Sequence, residues 1–238
     1  MRQGEGQGTN LPISVTIGGQ TNLIKPVFNF QPPHIDGILP SPNGPTAGGV
    51  LITLEGENFG NSASVKLGGK PCVIGGLGQS DTVSRELVDL AFAVNLIAVA
   101  AQSFTCTLPV GQGLSQLVSI NVSNQFTTFN FNYDAPIIYS IHPLTGPTAG
   151  GSTIQLHGLN FGLGTLTLFT LGGVTVTQLT SIISHNHTDI LFKLPVGEGV
   201  NKAVALQVAS QPATYTGSTL FRYNTPNITY VHGCFGDQ

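Results

Sequence analysis

Apolar and polar residues alternate in short runs along this chain, and the runs come in a fixed order. Val50, Ile52 and Leu54 alternate with Leu51, Thr53 and Glu55, which gives one apolar face and one mixed face. A period of two over so short a span predicts a half-buried strand. Gly44-Pro45-Thr46-Ala47-Gly48-Gly49 leads into it, and Gly56-Glu57-Asn58-Phe59-Gly60 closes it. Gly-Pro and Gly-Gly punctuate the entry. At the exit Asn and Gly tolerate left-handed backbone, and Phe can fold back onto a core. The whole stretch returns 102 residues later, from Gly146-Pro147-Thr148-Ala149-Gly150-Gly151 to Gly158-Leu159-Asn160-Phe161-Gly162. An internal repeat of this period sets the architecture before any single motif does.

A second pattern occurs three times. Gly6-Gln7-Gly8 is followed by an alternating run from Leu11 to Ile17, a Gly18-Gly19 turn, a short strand Val27-Phe28-Asn29-Phe30, and Pro32-Pro33. The same order recurs from Gly111-Gln112-Gly113 to Tyr133 and Pro136, and from Gly197-Glu198-Gly199 to Tyr223 and Pro226. The chain therefore divides into closing strands at 1–33, a full repeat at 34–134, a full repeat at 135–225, and an opening strand at 226–238. Seven or so short strands per repeat, with turns every 8–12 residues, predict an all-β chain of tandem sandwiches. Proline in each link restricts its neighbours and predicts a stiff, rod-like succession of domains. A two-stranded hairpin alone is marginal in water. The partial elements at both ends are thus expected to belong to a longer array, rather than to strands exchanged between subunits.

Composition sharpens this picture. The 31 Gly and 15 Pro fall at regular turn positions, so they mark turns rather than disorder. Charged residues are only 8% of the chain, so its surface must be covered by Ser, Thr, Asn and Gln, by sugar, or by neighbouring protein. The 8 Lys and Arg do not cluster against 11 Asp and Glu, which argues against nucleic acid. No apolar run reaches 18 residues, so this segment does not insert into a membrane as a helix. Residues 1–8 do not read as a secretory signal.

The ordered motifs carry a resemblance. Pro33-His34-Ile35, Ile38-Leu39-Pro40, the Gly-Pro-x-x-Gly-Gly and Gly-x-Asn-Phe-Gly pairs, Leu67-Gly68-Gly69, Leu108-Pro109-Val110-Gly111 and Phe131-Asn132-Tyr133 together resemble the IPT/TIG family of immunoglobulin-like domains, and the second repeat matches them in the same order. The resemblance implies early-Set β-sandwiches. Such domains occur in plexins, growth-factor-type receptors, surface adhesion proteins, Rel-type transcription factors and some bacterial carbohydrate enzymes, so fold does not fix function. It also implies a disulfide between Cys72 and Cys106. The second repeat has Val176 and Phe192 opposite them, so both cysteines are absent together. The alternative is two buried thiols. Cys234 would then be unpaired within this chain and expects a partner outside it.

Three sequons are candidate glycosylation sites: Asn121, Asn186 and Asn227. Asn186, expected between strands, is the favoured one. His185-Asn186-His187 lacks the carboxylates or cysteines of a metal site and reads as a solvated loop. No nucleophile elbow, phosphate-cradling loop or paired acids point to catalysis or to a cofactor. The first repeat carries 18 extra residues, an insert near 80–103 whose apolar side chains include Leu90, Phe92, Val94, Leu96 and Ile97. Ser80-Asp81 could cap a helix there. The insert either packs on its own sandwich or forms a contact patch for a neighbouring domain or subunit. The chain is therefore expected to be a structural or adhesive module of an extracellular or cell-surface protein. Its partners would be neighbouring repeats or filament subunits, and it would carry N-linked glycan. The alternative is a ligand-binding segment of a plexin-like or growth-factor-type receptor.

Overall fold

The computed structural model describes residues 6–60, 63–72, 102–177, 180–230 and 232. All regular elements among them are strands. The chain separates into two compact units, 1–134 and 135–238.

In the first unit, residues 34–134 form two facing sheets. One holds Gln102–Thr107, Leu51–Glu57 and His34–Leu39 in that order. The other holds Asn43–Gly44, Gln125–Tyr133, Gln116–Val122, Ser64–Leu67 and Lys70–Pro71. Every pairing is antiparallel except the short one of Asn43–Gly44 with Asn132 and Tyr133. Alternation decides which side chains meet between the sheets. Ile52 and Leu54 point inward from one sheet, and Val118, Ile120 and Val122 from the other, all buried. Phe59 and Phe131 join them.

The second unit repeats the plan. Ile182–His185, Asp189–Lys193, Thr153–Leu159, Ile137–His142 and Thr214–Tyr215 make one sheet. Val174–Thr175, Leu166–Leu171, Val204–Val208 and Gln211–Pro212 make the other. Thr145–Gly146 pairs in parallel with Arg222–Tyr223. The opening strand of each repeat carries a register irregularity at the same place, between Ile35 and Gly37 and between Ile138 and Ser140. Each opening strand also ends in a cis peptide, Leu39–Pro40 and His142–Pro143.

The recurring motifs have specific work in this frame. Asn58 and Asn160 adopt left-handed backbone, with φ of 59° and 60°. Their side-chain amides donate to the carbonyls of Pro32 and Ala135, at 3.2 and 3.4 Å. The turn that ends one strand thereby holds the start of another. A Cβ on Gly56 or Gly158 would collide with the carbonyl oxygen of His34 or Ile137 and with the Phe59 or Phe161 ring. Only glycine fits there. Tyr133 and Tyr223 close the repeats by donating to the carbonyls of Pro109 and Pro195, at 2.7 and 2.9 Å. Burial pushes the Tyr133 hydroxyl up to about 12 and raises Tyr223 as well.

Two expectations need correction. The run from Leu11 to Ile17 is not one strand but two pieces, Leu11–Pro12 and Thr16–Ile17. Between them the Asn22 side chain takes the place of a partner strand, accepting from Val15 N–H at 2.8 Å and donating to the Ile13 carbonyl at 3.2 Å. Of the opening strand expected at 226–238, only residues 226–230 and 232 are described; 226–230 are exposed and carry no strand pairing. A strand needs a neighbour to receive its backbone hydrogen bonds. Residues 80–101 of the insert, with the expected helix and the patch Leu90, Phe92, Val94, Leu96 and Ile97, lie outside the described residues, as does Cys234; Gln102 and Ser103 begin the strand Gln102–Thr107.

Candidate functional site

Cys72 and Cys106 are joined by a disulfide, with S–S 1.98 Å and Cα–Cα 5.6 Å. Cys72 follows the strand Lys70–Pro71 in one sheet, and Cys106 lies on Gln102–Thr107 in the other, so the bond ties the two sheets through the core. Local pairing fixes both ends. Cys72 N–H donates to the Val65 carbonyl at 3.0 Å, and Cys106 sits opposite Ile52. In the second repeat Val176 N–H donates to Phe169 at 2.9 Å and Phe192 sits opposite Ile154. The register thus places Val176 and Phe192 where the first repeat has its cysteines.

The three sequons stand in different surroundings. Asn121 is half-buried on the strand Gln116–Val122 and accepts from Asn124 N–H at 3.1 Å in the following turn. Asn227 is exposed beyond the last strand, at the rim of a shallow cleft of about 780 Å³ that Thr148, Glu198 and Lys202 also line. Asn186 is exposed in the turn between Ile182–His185 and Asp189–Lys193. Its Oδ1 accepts from the backbone N–H of Thr188 and of Asp189, both at 2.8 Å. The amide oxygen is thereby fixed inward at the turn.

Beside this turn is a polar cluster that motif reading had passed over. Asp189 accepts from Thr188 Oγ1 at 2.7 Å and from Gln155 Nε2 at 2.8 Å, and lies 3.0 Å from His157 Nδ1. The Thr188 hydroxyl, then the His157 ring, hold the Asp189 carboxyl below its ordinary value. The signal for it was simple alternation: Gln155 and His157 must face outward wherever Ile154 and Leu156 face inward.

His185 is also not the solvated loop residue that the sequence suggested. It ends a strand, is half-buried, and its Nε2 lies 2.9 Å from the Phe161 carbonyl. A carbonyl only accepts, so this nitrogen carries the proton. Burial holds His185 below the ordinary imidazole value, against the opposing effect of that hydrogen bond. His187 is lowered by burial and then by His185. Among the described residues no group of three or more His, Cys, Asp or Glu could hold a metal ion. The arrangement stitches a turn to a sheet; it aligns no nucleophile with a base.

The family model for the IPT/TIG domain matches residues 33–134 and 136–223. The chain belongs to the IPT/TIG family. Several solved structures are similar to parts of the chain. The plexin A4 extracellular region is 19% identical, with a TM-score of 0.37, over 81% of this chain and 18% of that one. A surface glycan-binding protein from Prevotella bryantii is 14% identical, with a TM-score of 0.45, over 77% of this chain and 41% of that one. One from a xyloglucan utilization locus of Bacteroides uniformis is 17% identical, with a TM-score of 0.32, over 76% and 47%. The chain thus spans less than half the length of each of these proteins.

Proposed function

We propose that this pair of IPT/TIG domains is a non-catalytic structural or adhesive segment of a repetitive extracellular protein, working through protein–protein contacts. The observation that supports it is the Cys72–Cys106 bridge inside an otherwise apolar core. Disulfides persist in oxidising compartments and are rare where glutathione keeps thiols reduced. Low charge and unclustered basic residues fit the same setting and disfavour the nucleic-acid-binding use of the fold. Asn186 is the sequon best placed to carry glycan, since its side chain is exposed in a turn and its oxygen is already held by backbone N–H groups.

Labelling intact source cells with a membrane-impermeant biotin reagent tests the location. The polypeptide should be labelled, should lose mass on N-glycosidase treatment with Asn186 converted to Asp, and should yield a Cys72–Cys106 peptide before reduction. An unlabelled polypeptide with both cysteines free would remove the proposal. Beads coated with the chain should aggregate, or bind the source cells, if the contacts are adhesive. A parent polypeptide that ends in a cytoplasmic kinase or GTPase-regulating domain would instead favour the receptor reading.

A further inference from the structure

Residues 6–30 have the backbone of a closing hairpin without the sandwich that such a hairpin closes. Gly8, Asn10 and the Gly18-Gly19 turn have positive φ, as do Gly113, Ser115 and Ser123-Asn124, and Gly199, Asn201 and Ala209-Ser210. Phe30 N–H donates to the Gly8 carbonyl at 2.9 Å, as Tyr133 does to Gly113 and Tyr223 to Gly199. Phe28 and Phe30 meet edge to face at 5.0 Å, as Phe131 and Tyr133 do at 5.4 Å and Phe221 and Tyr223 at 5.3 Å. Gly6 lies under the Phe30 ring as Gly111 lies under Tyr133. The rear of the hairpin is fixed to the first complete domain: Gln125 Nε2 donates to the Phe30 carbonyl at 2.9 Å, and the Gln7 amide lies against Gly60.

Its apolar face differs from the other two in one respect. Ile17 is 77% exposed where Val122 and Val208 are 1%, and Phe28 is 38% exposed where Phe131 and Phe221 are 0%. In both complete domains the covering group is the same. It is the opposite sheet, contributed by the opening half: Ile52 and Leu54 share one core with Val118, Val122 and Phe131, and Ile154 and Leu156 with Leu206, Val208 and Phe221. A further strand of the opening half pairs along the hairpin's edge, as Leu67 with Val118 and Leu171 with Val204. The turn after the opening strand then pairs in parallel with the last strand.

We infer that the face of Ile13, Val15, Ile17 and Phe28 is a docking surface for the opening half of a further IPT/TIG domain, carried on the N-terminal side of Gly6 in the same polypeptide. In both complete domains the opening half enters the closing hairpin from that side, through Leu108-Pro109-Val110 and Leu194-Pro195-Val196. The occupant must bring its own Leu-Pro pair, because Gln3-Gly4-Glu5 stand in those places. Those leucines are buried core residues, so they belong to the opening half rather than to the hairpin. This inference rests on the tandem-module reading but concerns only residues 6–30, so its failure leaves the surface location untouched.

Amide exchange tests it. In the chain of 238 residues, the amides of Ile13 and Ile17 should exchange more than about 100-fold faster than those of Val118 and Val122, since an exposed two-stranded hairpin, though hydrogen-bonded at Ile13 N–H and paired at Ile17, opens at little cost. The probe is the chain's own opening half, residues 135–196, joined in front of Gly6 in place of residues 1–5. Ile13 and Ile17 should then slow by about the same factor, and Ile17→Asp should abolish the gain. A second probe adds Ile13→Val, Val15→Leu and Ile17→Val, which restore the residues that this half faces in its own domain. Protection in either fusion supports the inference; fast exchange in both overturns it. So does a hairpin already protected in the unextended chain, whether as a monomer or through a dimer seen by light scattering.

Discussion

In the first domain Cys72 and Cys106 join the two sheets covalently; in the second, Val176 and Phe192 stand at those positions and nothing covalent replaces the bond. The change extends to a third residue. Phe169 occupies the place of Val65, and the rings of Phe169 and Phe192 meet edge to face at 4.8 Å. One domain closes its core with a short bridge beside a small valine. The other fills the same region with two aromatic rings. Both cores are buried, so the sandwich does not require the disulfide to close. What differs is where the stabilisation resides. The disulfide acts mainly by restricting the unfolded chain, whereas the phenylalanines act in the folded core.

Removing each device should therefore damage one domain and spare the other. Phe192→Ala should cost the second domain about 3–5 kcal/mol, the usual range for truncating a fully buried Phe. The first domain should be unaffected. Residue-resolved exchange in denaturant follows the two separately, and a loss under about 1 kcal/mol would show that the ring is not what fills the core. A cycle with Phe169→Ala should give about 0.5–1.5 kcal/mol of coupling for the edge-to-face pair. Replacing Cys72 and Cys106 together by Ala should cost the first domain about 3–4 kcal/mol, from the 34-residue separation that the bridge closes. Reductant should leave the second domain's transition in place; equal sensitivity of both would break the comparison.

Much of this was legible in the sequence because glycine and alternation are local. The repeated Gly-x-Asn-Phe-Gly motif announced its turn, and the backbone shows why: Asn58 and Gly60 need left-handed φ, and Gly56 has no room for a Cβ. Aligning the Leu-Gly-Gly turns placed Val176 opposite Cys72 by counting alone. Phe169 for Val65 escaped notice, because a larger apolar residue on a strand leaves the pattern unchanged and only packing reveals its purpose. The Asp189 cluster escaped for a related reason. Gln155, His157 and Thr188 come from separate elements and form no motif until the sheet brings them together.

A shared feature gives the control. Asn58→Ala and Asn160→Ala should each destabilise their own domain by about 1–2 kcal/mol. Each loses a hydrogen bond to the preceding link and places alanine in left-handed backbone. Similar losses in both domains, measured as above, would show that the domains differ at the bridge and not at the turns. A loss confined to one would mean that the common motif has diverged in function.

The smallest expected difference depends on pH. His185 is held below the ordinary value of 6.5 by burial, and His187 likewise by burial and by His185. A histidine whose folded value is depressed binds its proton first in the unfolded chain, so acid favours unfolding. The second domain should keep its full stability above 6.5, lose some as pH falls through 6.5 toward the folded values, and lose no more to these groups below them. Asp189 adds a separate, more acidic step. The Thr188 and His157 hydrogen bonds depress its carboxyl below 3.8, so its contribution is present above that value and disappears as pH falls through the folded one. His185→Gln retains a donor for the Phe161 carbonyl but cannot titrate. Combined with His187→Gln, it should flatten the first step and leave the Asp189 step. Thermal unfolding of the second domain between pH 7 and 3, followed by amide exchange, reads both steps. A first step that persists in the double variant would assign it to groups other than these histidines.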